Sequence, residues 1–120
     1  MGDMTAHFSR SEFSCKCGCG LSGIHLDLVK KLECVRERFG MPIRVTSGMR
    51  CRKHNKKIAG SSEHSAHLFG LAADLACTDS STRHSLLPIV LDEFNRVGIA
   101  KDFIHVDLDS MKDRDVVWTY

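Results

Sequence analysis

The sequence predicts an α+β fold, a small and mostly antiparallel sheet packed with helices, on three observations. Leu26 to Phe39 repeats its apolar residues at helical spacing, "DFIHVDLD" alternates apolar with polar, and "AADLAC" is a short run of small and apolar residues around one aspartate. Helical and strand signals separated by glycines and polar turns describe two packed layers.

The elements follow in order. The first twenty residues run into a glycine- and cysteine-rich turn, Gly18 to Gly23. From Leu26 to Phe39, residues Leu28, Val29, Leu32, Val35, Arg36 and Phe39 keep a helical spacing, and Gly40 and Pro42 stop the helix. "PIRVTS" sets Ile43, Val45 and Ser47 against Arg44 and Thr46 as a short strand that Gly48 ends. A short helix is expected over about Arg52 to Ile58, then a loop over Ala59, Gly60, Ser61 and Ser62. Ala72 to Cys77, after Gly70, reads as a buried strand. Ser80 or Ser81 caps a helix expected to reach about Val97, with Pro88 kinking it or resetting its first turn and Gly98 stopping it. "DFIHVDLD" and "DVVWTY" are the last two strands.

At 120 residues the chain is long enough for one core and too short for two, so residues 1–120 are expected to be a single domain. Hydrophobic residues at 42% and charged residues at 27% are ordinary globular values, which excludes disorder and fibre. A net charge of +2 is too small to argue for a nucleic-acid partner. The one basic run, "RCRKHNKK" from Arg50 to Lys57, is a solvated face or an anion site. No apolar run approaches the ~18 residues of a membrane span. "MGDMTAHFSR" lacks the basic-then-apolar layout of a secretory leader, so the expectation is a chain made in the cytoplasm.

Six cysteines are many: Cys15, Cys17, Cys19, Cys34, Cys51 and Cys77. Three lie in "CKCGCG", which lacks the Cys-x-x-Cys spacing of common structural zinc sites. Buried thiols or disulfides, a second metal and redox chemistry all stay open.

The chemistry gathers in "SSEHSAHLFGLAADL" and "DFIHVDLD". Strand alternation puts Ile104, Val106 and Leu108 on one face, and Phe103, His105, Asp107 and Asp109 on the other. An imidazole and a carboxylate on that second face line solvent or a cleft. Asp74, inside an apolar strand, is costly unless paired or bound to a cation. With His67 and His105 it makes a donor set suited to zinc, and three protein ligands leave a position open for water.

These residues resemble a known family. "SAHLFGLAAD" is similar to the Ser-x-His-x-x-Gly-x-Ala-x-Asp signature of zinc D-Ala-D-Ala carboxypeptidases and related phage endolysins and dipeptidases. "TSGMRCRKHN" resembles the family's Ser-Gly-Tyr-Arg segment, and "FIHVD" its second-histidine strand. "FSRSEFSCKCGCG" and "WTY" are similar to a phage-associated branch. Together they cover most of the chain in the family's order. The resemblance implies the fold shared by lysostaphin-type peptidases and the Hedgehog domain.

It further implies that His67, Asp74 and His105 bind one catalytic zinc, with Arg50 near substrate and Ser65 donating in the cleft. The family's general base, three residues before the last histidine, corresponds to Asp102. Positions three apart on a straight strand face opposite ways, so Asp102 reaches the site only if the chain turns before Phe103. Gly98 to Lys101 can supply that turn. Asp107 lies on the face of His105 and is base, substrate contact or orienter of a ligand. His64 and, with less support, His54 read as surface histidines or neighbours of the ligands. Met49 departs from the family, standing where tyrosine is usual.

The resulting expectation is a single zinc peptidase domain, a monomer, acting on peptidoglycan stem peptides as a D-Ala-D-Ala carboxypeptidase or an L-Ala-D-Glu endopeptidase. It would reach the cell wall by export or release, in a phage or prophage context. One rival is a Hedgehog-like binding module that keeps zinc without turnover. Another is a cysteine-rich zinc or nucleic-acid adaptor built on Cys15, Cys17, Cys19 and the basic run, which the near-neutral charge counts against.

Overall fold

Leu28, Val29, Leu32 and Val35 are fully buried and form one stripe along the first helix, α1 (Leu26–Phe39). Steps of three and four residues keep them on one side of a 3.6-residue turn. The helix stops at Gly40, whose φ of 76° is left-handed and whose N–H reaches the Arg36 carbonyl at 3.0 Å. This computed structural model describes residues 2–58 and 64–120. The loop expected over Ala59 to Ser62 lies outside the described residues.

Five strands form one sheet: β1 (Val45–Ser47), β2 (Ala72–Ala76), β3 (Arg96–Ile99), β4 (Phe103–Asp107) and β5 (Val116–Thr119). Their order is β1-β2-β4-β3-β5. The pairings β1–β2, β2–β4 and β4–β3 are antiparallel, and β3–β5 is parallel. The sheet is therefore mixed, which corrects the expectation of a mostly antiparallel one. Connectivity explains the difference. β4 ends beside the start of β3, and the chain crosses from there to the free edge of β3, where the Val116 N–H meets the Asn95 carbonyl at 3.1 Å. Starting at that end, β5 has to run in the direction of β3.

β3 is itself a correction. The helix expected to reach Val97 is α3 (Ser80–Glu93), capped by Asp79 rather than Ser80 or Ser81. The Asp79 carboxylate accepts the Thr82 N–H at 2.7 Å, and the helix runs through Pro88. Phe94 leaves it extended and buried, and Val97 then packs fully buried opposite Val106. Gly98 is a strand residue, not a helix stop.

α1 and α3 pack together, and their buried residues share one core with Val97, Leu75, Ile104 and Val106. Alternation sends Asp74, Phe103, His105 and Asp107 to the opposite face of the sheet. A short helix, α2 (Arg52–Lys56), and a 3-10 turn, Ala66–Phe69, stand beside that face. Among the described residues no helix is long and apolar enough to cross a membrane.

Candidate metal centre

Register aligns one row of residues across all five strands. Ser47 pairs with Asp74, Asp74 with His105, His105 with Gly98, and Gly98 with Trp118. Cross-strand partners share a face, so the polar members meet by construction. An irregularity between Val45 and Ser47 lets Val45 face the core while Ser47 joins the row. Gly98 leaves a gap that Trp118 fills, and its indole centroid lies 5.4 Å from that of His105.

His67 comes from the Ala66–Phe69 turn, where the Ser65 hydroxyl accepts its backbone N–H at 3.3 Å. Gly70 closes the turn with φ 69°, and a Cβ there would lie 2.1 Å from the Gly23 carbonyl oxygen. Only glycine meets both conditions. The turn drops His67 beside β2, with its Nε2 3.3 Å from Asp74 Oδ1.

Hydrogen bonds fix both rings. His67 Nδ1 lies 2.7 Å from the Gly48 carbonyl, which can only accept, so Nδ1 carries the hydrogen and Nε2 keeps its lone pair. His105 Nε2 lies 2.7 Å from Asp107 Oδ2, and its Nδ1 2.9 Å from Asp74 Oδ1. With Nε2–H donating to Asp107, the Nδ1 lone pair faces Asp74. Two ring nitrogens and a carboxylate oxygen then present lone pairs to one another within 4.8 Å, and a cation or proton among them is required. Two imidazoles and a carboxylate, all buried, match the donor set of a catalytic zinc.

The electrostatics agree. Burial disfavours the Asp74 carboxylate, yet the hydrogen bonds and charge of His105 and His67 outweigh it and hold Asp74 far below the usual range. Burial likewise opposes protonation of His105, but Asp107 and Asp74 push it up. For Asp107, burial is overcome by His105, the Asp109 N–H and Arg96, and the carboxyl is pulled down. Arg96 Nε bonds Asp107 Oδ1 at 2.7 Å, and its guanidinium sits 5.1 Å from the Trp118 ring centre.

The other residues singled out from the sequence fall as follows. Arg50 is buried and each of its guanidinium nitrogens donates: Nε to Ser47 Oγ at 3.1 Å, one terminal nitrogen to Asn55 Oδ1 at 3.2 Å, and the other to Asp74 Oδ2 at 3.3 Å. Burial lowers its pKa, and Asp74 opposes the shift. Asp102 is not brought to this group. It sits exposed in the bend before β4, its carbonyl accepting the Cys77 N–H at 2.9 Å. It is not among the residues that line the cleft holding the two histidines. His64 is exposed, and its carbonyl accepts from Lys112 Nζ at 2.8 Å. His54 belongs to α2, where its N–H meets Cys51 Sγ at 3.3 Å.

Sequence reasoning missed Gly48, Arg96, Trp118 and Tyr120. A basic residue in a presumed helix gave no signal, and neither did a backbone carbonyl. All but Gly48 line a cleft of about 410 Å³ that also holds Arg50, Ser65, His67, Asp74, His105 and Asp107. Compared with known proteins, the chain matches a family model described as Peptidase M15 over residues 6–107. No curated protein matches it.

Proposed function

The chain belongs to the peptidase M15 family, and from that premise we propose that it is a zinc metallopeptidase hydrolysing peptidoglycan stem peptides beside a D-amino acid, at a D-Ala-D-Ala or an L-Ala-D-Glu bond. The observation that carries this reading is the convergence of His67 Nε2, Asp74 Oδ1 and His105 Nδ1, each aimed by a partner of its own. Zinc bound there supplies a Lewis acid for the scissile carbonyl and a water whose pKa falls to about 7.

The chain's own residues do the rest. Gly48 and Asp107 hold the two rings in the tautomers that leave the inner nitrogens free. Arg50 takes Asp74 Oδ2 and so leaves Oδ1 to the site. Asp107 is a positioning residue here, because His105, Arg96 and the Asp109 N–H use its oxygens. Asp102 does not line the cleft, and this reading gives it no contact there. Phe103, Trp118 and Tyr120 give the cleft an aromatic wall, and its cations Arg50, Arg96 and Lys112 are paired with Asp74, Asp107 and Asp109. Aromatic side chains beside a few fixed polar groups suit a short peptide. Met49 does not line the cleft, so the missing tyrosine alters its approach and not its donor set.

On the same reading residues 1–120 form one domain of the Hedgehog and D-Ala-D-Ala peptidase type. The substrate lies outside the cytoplasmic membrane, so the protein reaches it by export or by release, as a phage lysin would. The test is a digest of purified peptidoglycan and synthetic stem peptides with zinc, with chelator and with His67→Ala, the products being weighed by mass spectrometry. Chelator-sensitive release of D-Ala, or of a fragment beginning with D-Glu, supports the reading and names the bond. No product from intact, metal-loaded protein would leave the Hedgehog-like binding module instead.

A further inference from the structure

The residues that the peptidase reading leaves unused include a tight group of thiols. Cys15, Cys17, Cys19 and Cys51 place their sulfurs within 4.8 Å of one another, and all four are free thiols. Cys15 and Cys17 are 3.4 Å apart, Cys17 and Cys51 3.6 Å, and Cys15 and Cys51 3.8 Å. Zinc–thiolate bonds of about 2.3 Å put the corners of a tetrahedral tetrathiolate site about 3.8 Å apart. The measured separations sit near that edge length. We propose that Cys15, Cys17, Cys19 and Cys51 bind a second, structural zinc ion that fastens the N-terminal segment to the start of α2.

The local chain is shaped for it. Cys-x-Cys-x-Cys on a straight strand would send every second side chain the same way with wide spacing. Here Gly18 and Gly20 take φ of 86° and 83°, and the Cys15 N–H meets the Leu21 carbonyl at 2.7 Å. The segment closes into a loop, and its sulfurs turn toward the fourth cysteine. Backbone donors already address these sulfurs: the Cys51 N–H reaches Cys15 Sγ at 3.4 Å, and the His54 N–H reaches Cys51 Sγ at 3.3 Å. Such bonds stabilise thiolate over thiol.

Charge supplies a second, independent argument. Four thiolates around a divalent cation carry net negative charge, which needs positive neighbours. Lys53, His54 and Lys57 line the concavity that contains Cys17, Cys19 and Cys51. Lys53 and Lys57 of the basic run thereby have a counter-charge. Cys34 on α1 and Cys77 after β2 lie outside the group.

The site also stands next to the cleft. Cys51 follows Arg50, whose guanidinium bonds Asp74, and the Met49 N–H meets the Phe13 carbonyl at 2.8 Å. The second ion therefore braces the edge of the first centre without sharing a ligand with it. Its existence does not depend on the peptidase reading.

The test is elemental analysis of the whole protein, expressed with zinc and freed of loose metal by gel filtration. Two ions per chain are expected. His67→Ala with Asp74→Ala should lose the cleft ion and keep the other, Cys15→Ser with Cys51→Ser should do the reverse, and Cys34→Ser should keep both. Two measurements on the unmutated chain stand even if a variant misfolds. Cobalt-loaded protein should show thiolate-to-cobalt charge-transfer bands, and Cys17 and Cys19, though exposed, should resist alkylation until chelator is added. An ion count that Cys15→Ser with Cys51→Ser leaves unchanged, no charge-transfer bands, or alkylation of Cys17 and Cys19 at the same rate with and without chelator would overturn the proposal. So would an intact mass showing a disulfide within the group.

Discussion

Trp118 lies so close on Gly98 that a Cβ at position 98 would come 2.6 Å from the indole Nε1. The contact carries the row of residues from the outermost strand to His105. Trp118 is the chain's one tryptophan, so its fluorescence reports this face alone. Gly98→Ala is expected to shift the emission to longer wavelength as the ring is displaced into solvent. In the unmutated chain, zinc should change the emission saturably. Unchanged spectra in both experiments would mean that the ring does not sense the centre.

Asp107→Asn removes the charge that holds His105 by Nε2 and breaks the pair with Arg96. Metal affinity is expected to fall about 10- to 100-fold, the usual cost of losing an outer partner of a ligating histidine. Asp102→Asn should leave the affinity and any hydrolysis rate near those of the parent chain, because its carboxylate does not line the cleft. Competition with a chromophoric chelator reads the first, and peptide hydrolysis reads both. A large loss from Asp102→Asn with little from Asp107→Asn would reverse the assignment.

Arg50→Met leaves Asp74 buried without its guanidinium partner. Breaking a buried pair costs about 3 kcal/mol or more. The loss should appear in urea unfolding of the metal-free protein and shrink in the zinc-loaded one, where the ion compensates Asp74. Equal losses in both states would show that Arg50 acts elsewhere.

Acidity should move stability and metal affinity in opposite directions. Asp74 and Asp107 are held low in the folded chain, so their contribution is present above pH ~4 and is lost as pH falls through their folded values. His105 is raised, so its contribution is full below pH ~6.5 and is lost as pH rises through its folded value. Metal-free protein is therefore expected to be most stable at mildly acid pH and to weaken as pH rises through the folded value of His105. Zinc has to displace the His105 proton, so its affinity should rise over the same interval. Thermal unfolding with and without zinc across that range measures both, and parallel trends would contradict the account.

The sequence was legible where one local period dominated. α1 appears with the bounds expected, because its buried stripe and Gly40 are both local signals. Strand alternation correctly separated Ile104 and Val106 from His105 and Asp107, and the three ligating candidates do converge. The failures lie where tertiary pairing decided. Arg96 to Ile99 could extend a helix by spacing, yet burial of Val97 against Val106 makes it a strand. That misreading hid Arg96 from the site and disguised the one parallel pairing in the sheet. Asp102 was placed by resemblance, and it stands in the exposed bend before β4, not among the residues that line the cleft. Gly48 contributes only a carbonyl, and a main-chain acceptor leaves no trace in residue type.

The most direct measurement of the central claim is a crystal structure of zinc-loaded protein, with the ions located by anomalous scattering at the zinc edge. The account predicts an ion on the sheet face bonded to His67 Nε2, an Asp74 carboxylate oxygen and His105 Nδ1, with Asp107 still on His105 Nε2. Zinc bound through His105 Nε2, or no ion among these three side chains in fully loaded protein, would contradict it.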